Sequence, residues 1–265
     1  MAHSSSVSPF SHDLLAVPRT LLITGASTGI GAALAGEFAR RGHALALAAR
    51  RVELLEAMAP QLRAAGAARV VPLRLDVADT ASIEPVVQQA AQSLGRLDVV
   101  VANAGVGHMT PVGKGALAAV QETLVINLLG AIATIEAALP IMRAQGEGQV
   151  VGVTSVAAAR GLPGLGAYSA SKAGLHRYLQ AARAELRGSG IRVTELAPGY
   201  IDTAMNRGGR ARPFVIPVER GAAVMADLIE RGVGLRWVPL LPWALIVPLL
   251  KILPAAVLAP RRRGH

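Results

Sequence analysis

Short apolar runs alternate with longer stretches of helical periodicity along most of the chain. Residues 19–24 form the first run, followed by a glycine-rich turn and a helical stretch reaching about Arg41, where Gly42 stops it. A second strand is expected over 43–49, a helix over 51–65 and a third strand over 69–75. Helix 79–94 and strand 97–102 come next, then two helices near 117–126 and 131–144. Strand 149–154, a long helix over 167–187 and strand 191–197 complete the central pattern. A helix over 218–230 and a seventh strand over 235–238 close it.

Strands of this length alternating with helices make βαβ units. The expected fold class is therefore α/β: one domain, a doubly wound parallel sheet of about seven strands with helices on both faces. Ligands of such sheets sit outside the carboxyl ends of the strands. Residues 1–17 are read as a flexible extension, 18–240 as the dinucleotide-binding and catalytic domain, and 241–265 as an apolar and basic extension.

Composition narrows the function classes. The apolar fraction is 52% and aromatics only 3%, so the core must be built from Ala, Val, Leu and Ile. With no cysteine, disulfides, thiolate catalysis and thiolate-bound metals are excluded, and the redox compartment stays open. The six histidines show no metal spacing, and His108, in a glycine-rich loop, reads as a surface or pocket-lining residue. The net charge of +10 lacks the aromatic-and-basic stripe of a nucleic-acid binder and suits an anionic cofactor or membrane surface better. The amino end has no secretory-signal pattern, so a cytoplasmic location is expected. No stretch reaches the roughly 18 apolar residues of a membrane span. The best candidate, 237–250, has fourteen residues without a charge.

Candidate chemistry begins at Thr24-Gly25-Ala26-Ser27-Thr28-Gly29-Ile30-Gly31, between a strand and a helix. Glycines permit a tight turn and close approach of a pyrophosphate, and the helix start offers free N–H groups. A plain connection is the alternative. At the end of the second strand stand Arg50 and Arg51, where an NAD enzyme commonly carries an acid. An arginine there pairs with a 2′-phosphate, so NADP(H) is preferred and NAD(H) kept as the alternative. Asp76 ends the third strand, either against an adenine edge or as a turn cap. Asn103-Ala104-Gly105 ends the fourth, where small residues admit a ribose while the amide ties neighbouring strands.

Tyr168 and Lys172 lie four apart on one helix face. An acid–base tyrosine must come down about three units from its usual value near 10, roughly 4 kcal/mol of preferential phenolate stabilisation. A buried ammonium one turn away is a source for it. The pair alone fits an ordinary solvated contact equally well. Ser155, thirteen residues earlier, strengthens the catalytic reading, because its hydroxyl can donate to a carbonyl oxygen that Tyr168 protonates. Asn127 stands in an apolar helical stretch and needs partners there; a water feeding protons to Lys172 would supply them.

These motifs together resemble the short-chain dehydrogenase/reductase family in its short single-domain branch. The resemblance covers residues 19 to 205, through Thr24–Gly31, Asn103-Ala104-Gly105, Asn127, Ser155, Tyr168, Lys172, and Pro198-Gly199 with Thr203. It implies a Rossmann fold and hydride transfer at a nicotinamide, interconverting a ketone or aldehyde and an alcohol. It also implies Tyr168 as acid/base, Ser155 as orienter, and Asn127 with Lys172 as a proton relay. The implied cofactor residues are Gly25, Ser27, Thr28, Gly29, Ile30, Gly31, Arg50, Arg51, Asp76, Val77, Asn103, Ala104, Gly105, Tyr168, Lys172, Pro198, Gly199, Ile201 and Thr203. A homo-oligomer is expected on the same ground. The competing class is a non-catalytic NADP-binding sensor or scaffold, which usually loses part of a triad that is complete here.

The chain departs from the family after the seventh strand, where many relatives are glycine-rich. Here Pro239, Pro242, Pro248 and Pro254 interrupt an apolar run, so short amphipathic pieces are expected. Either they form a flap over the substrate or against a second subunit, or with Arg261, Arg262 and Arg263 they anchor to an anionic membrane. The loop 200–217, and with it the segment 161–165, is expected to close over a lipophilic or anionic carbonyl compound.

Overall fold

Each apolar run becomes a strand. A computed structural model of the protein describes residues 18–206 and 212–254. The extension at 1–17, the middle of the 200–217 loop and the triple arginine lie outside the described residues. The strands are β1 (Thr20–Thr24), β2 (Ala44–Ala49), β3 (Arg69–Arg74), β4 (Val99–Ala102), β5 (Gly148–Val153) and β6 (Ile191–Pro198). The short β7 (Ile201–Asp202) and β8 (Ile216–Pro217) pair with each other, and β9 (Leu235–Val238) completes the main sheet. That sheet has seven strands, all parallel, in the order β3-β2-β1-β4-β5-β6-β9.

Both faces of the sheet are covered, which is why its strands read as nearly continuous apolar runs. Alternate residues point to opposite faces. Leu21, Ile23, Leu45 and Leu47 pack with Phe38 of α1 (Gly29–Arg40), Leu55 of α2 (Val52–Ala64) and Met225 of α7 (Val218–Glu230). Leu22, Ala46 and Val100 face Ile83 of α3 (Ile83–Leu94), Ile135 of α5 (Ala131–Gln145) and Leu179 of α6 (Gly166–Glu185). The chain therefore forms the three-layer, single-domain Rossmann arrangement that its pattern predicts. Strand order reverses beside β1, so the crevice between the ends of β1 and β4 is the natural ligand position.

Two expectations need correction. The helices near 117–126 and 131–144 are not separate. A π-helical turn, Val125–Gly130, joins α4 (Leu117–Leu124) to α5, giving one helix, Leu117–Gln145, of 29 residues. By length and composition it would suffice to cross a membrane, contrary to the expectation that no stretch is long enough. Its Ile126, Ala131, Ile135, Ala138 and Met142 are instead buried in the sheet-side core.

The proline-rich tail is also more continuous than expected. It forms α8 (Leu240–Ile252), broken only at Leu241, whose φ of −97° and ψ of 136° are not helical. Pro242 stands at the start of the regular part, where a missing N–H costs nothing. Trp243 and Val247 are buried against the domain, and Arg160 donates to the Leu250 carbonyl at 2.9 Å.

Candidate active site

The glycine-rich turn is shaped by close packing. Gly25 has φ +67°, a left-handed conformation, and a Cβ there would stand 2.7 Å from Ala104 Cα. A Cβ on Gly31 would meet the Gly25 carbonyl oxygen at 2.3 Å. Thr28 precedes α1, yet neither a capping side chain nor a carboxylate occupies the first turn. Its free N–H groups and dipole therefore remain available to an anion.

Thr24 and Asn103 lock this turn to β4. Thr24 Oγ1 donates to the Val101 carbonyl and accepts from the backbone N–H groups of Asn103 and Ala104. Asn103 Nδ2 donates to the carbonyl oxygens of Thr24 at 2.9 Å and Gly25 at 3.4 Å. The strand-tying role of this amide is thus realised, while Asn103 also borders the cleft.

A cleft of about 900 Å³ opens at the carboxyl ends of the strands. Gly25, Ser27, Thr28, Gly29, Ile30, Arg50, Arg51, Asp76, Val77, Asn103, Ala104 and Gly105 line one part of it. Ser155, Tyr168, Lys172, Pro198, Gly199, Ile201 and Thr203 line another. Of the residues expected at a cofactor, Gly31 alone lies off this lining, and its small size serves the packing of the turn. Arg50 and Arg51 are both exposed at the rim, free to meet a phosphate. The observations fit a dinucleotide: an uncapped helix start, glycines at the closest approach, and cations beyond the second strand.

Ser155 sits just after β5, where its hydroxyl accepts from the Ala157 N–H at 3.1 Å and caps the turn Val156–Ala159. The hydroxyl donates to the Pro198 carbonyl at 3.4 Å and stands beside the Tyr168 phenol, whose ionised form it favours. Tyr168 and Lys172 project from α6 as their spacing predicts. The Lys172 ammonium lies 5.9 Å from the centre of the Tyr168 ring and donates to the Val153 carbonyl at 2.9 Å.

The electrostatics differ from the sequence expectation. Burial pushes the Tyr168 phenol above its usual value near 10, with the Ser155 hydroxyl acting against that rise and Tyr200 adding to it. The ammonium does not bring the tyrosine down in the protein alone. Desolvation instead lowers Lys172 to about 8, because the side chain is buried with one carbonyl as its partner. The group poised near neutrality is therefore the lysine.

Asn127 is fully buried in the π-helical turn, but its amide is not waiting for water. Oδ1 accepts from the Val106 N–H at 2.7 Å, and Nδ2 donates to the Val106 carbonyl at 2.8 Å and to Ser171 Oγ at 3.3 Å. The side chain clamps the strand extension that carries Gly105, and it stands off the cleft lining. π-turns within α-helices often mark functional positions.

Sequence reasoning missed the support beneath Ser155. Glu195 of β6 is almost fully buried, accepts from Thr154 Oγ1 at 2.9 Å and meets His176 Nδ1 at 2.8 Å. His176 continues the spacing of Tyr168 and Lys172 by another turn of α6, a signal legible in the sequence. Of the apolar wall formed by Met109, Leu162, Pro163, Leu165 and Met205, Met109 alone lies outside the 161–165 and 200–217 segments expected to close over the substrate. Among the described residues no cluster of acids and histidines could hold a metal.

Comparison with known proteins agrees with this geometry. The family model described as short chain dehydrogenase matches residues 19–213. An uncharacterized oxidoreductase of Mycobacterium tuberculosis is 37% identical over 236 residues, covering 88% of this chain and 93% of that protein. One from Myxococcus xanthus is 38% identical over 239 residues, covering 89% and 93%. Among solved structures, an alcohol dehydrogenase from the archaeon Thermococcus sibiricus complexed with 5-hydroxy-NADP superposes with a TM-score of 0.74. It shares 32% identity and covers 83% of this chain and 94% of that one. A Mycobacterium marinum short-chain type dehydrogenase/reductase gives the same TM-score at 28% identity. With the motifs, the sheet order and these likenesses together, the chain belongs to the short-chain dehydrogenase/reductase family and is an oxidoreductase of that family.

Proposed function

We propose that the protein is an NADP(H)-dependent oxidoreductase interconverting a ketone or aldehyde and the corresponding alcohol. The observation that carries this reading is one cleft bordered by Arg50 and Arg51 in one part and by Ser155, Tyr168 and Lys172 in another. Bound nicotinamide supplies the hydride in reduction and accepts it in oxidation. Ser155 donates a hydrogen bond to the substrate oxygen, Tyr168 gives that oxygen its proton, and Lys172 restores the proton to the phenol. In the other direction each proton moves back. The apolar wall supports a lipophilic substrate.

The NADP preference rests on the exposed Arg50 and Arg51 and on the absence of a carboxylate at the end of β2. The NADP analogue bound to the similar Thermococcus sibiricus enzyme supports it. A carbonyl and alcohol screen following NADPH absorbance tests the reaction. With a substrate in hand, Arg50→Asp should raise the KM for NADPH by roughly tenfold or more while NADH changes little. Equal losses for both cofactors would overturn the phosphate-binding role.

A further inference from the structure

The outward side of α8 is apolar where a surface helix is normally polar. Leu245, Leu249 and Ile252 fall on one side of the helix and are 52–78% exposed, while Trp243 and Val247 fill the opposite, buried side. Lys251 is the single charged residue of the helix. Leu240 and Leu241 at its start are more than half exposed as well. Phe214, whose ring meets Trp243 edge-on at 6.1 Å, adds a further exposed apolar group. Contiguous apolar surface of this kind marks a docking face.

Charge identifies what docks. The sequence from 239 to 265 contains Lys251, Arg261, Arg262 and Arg263 and neither Asp nor Glu. The stretch 203–217 adds Arg207, Arg210 and Arg212 in sequence, of which Arg212 is paired with Asp202 at 3.1 Å. A second copy packed on α8 about a two-fold axis would bring Lys251 toward its own counterpart, with no carboxylate on the helix to answer it. An anionic bilayer accepts both the leucines and the cations.

We infer that α8 seats the protein on an anionic phospholipid surface, beside the cleft mouth, so that a carbonyl compound dissolved in the lipid enters the site directly. The helix is joined to the cleft wall through Trp243, which stacks obliquely on Tyr200 at 6.1 Å and lies against Gly199. The docking stands on its own observations; the lipid-borne substrate rests on the proposed reaction.

The test is sedimentation of the full chain with vesicles of phosphatidylcholine alone and with added phosphatidylglycerol. Binding is expected only with the anionic lipid, and it should weaken with salt. Leu245→Asp with Leu249→Asp should cut the bound fraction about tenfold or more, while leaving turnover of a water-soluble substrate unchanged. The milder Leu245→Gln with Leu249→Gln, checked by thermal melting, carries the test if the aspartates unfold the helix. Loss of vesicle binding with turnover intact supports docking. Turnover that is absent in every variant, while the substitutions still abolish vesicle binding, sinks the proposed reaction and not the docking. Vesicle binding that ignores the substitutions, or a dimer they break without any vesicle binding, overturns the inference.

Discussion

At the scale of single residues, burial sets the chemistry of the catalytic pair. Tyr168 is held up by desolvation and Lys172 is lowered to about 8. Groups this close titrate as a pair, and the first proton leaves at or below the lower of the two values. Alcohol oxidation needs the pair to have lost that proton, and carbonyl reduction needs it present. Oxidation should therefore rise with pH through a midpoint at or below about 8, and reduction should fall through the same midpoint. A positively charged nicotinamide would move the midpoint lower still. Profiles of kcat/KM in both directions check this, and an oxidation rate level from about pH 10 down to about pH 5 would contradict it. The identities of Ser155, Tyr168 and Lys172 were readable from spacing alone. Their protonation balance was not, because it depends on burial and on the Val153 carbonyl, which spacing does not report.

At the scale of elements, periodicity placed all seven strands of the main sheet to within a residue or two, since the five inner strands are buried almost throughout and the edge strands β3 and β9 in part. It failed where local rules conflict. The segment around Asn127 reads as a gap between two helices, yet a π-turn carries the chain through, and the Asn127 clamp on Val106 occupies that turn. The tail's prolines read as breaks, yet the helix runs on through Pro248, with Trp243 and Val247 in the turn before it packed against the domain. Gly199 is the point of closest contact, because a Cβ there would lie 2.0 Å from Trp243 Nε1. Gly199→Ala should displace the indole and cost about 1–3 kcal/mol of stability. Denaturant unfolding with tryptophan emission checks it. The expected result is a lower midpoint with red-shifted emission, and an unchanged pair of values would show that α8 yields freely.

At the scale of the whole molecule, the parallel sheet gathers residues from six strand ends into one cleft of about 900 Å³. Its preference between cofactors should be visible in stability before any substrate is known. NADPH at about 100 times its Kd would stabilise the fold by about 2.7 kcal/mol. For a chain of this size that is a rise in Tm of roughly 5–10 °C. NADH at the same concentration should give less, and Arg50→Asp should remove the difference. A melting temperature indifferent to both cofactors would contradict dinucleotide binding. The central claim is that Tyr168 transfers the proton in a reaction that the cleft runs on NADP(H). Tyr168→Phe tests it most directly, with turnover and NADPH affinity measured on the same preparation. We expect kcat to fall by roughly 10²–10⁴ with NADPH affinity nearly unchanged; turnover retained within a few-fold of the parent would contradict the proton-transfer role.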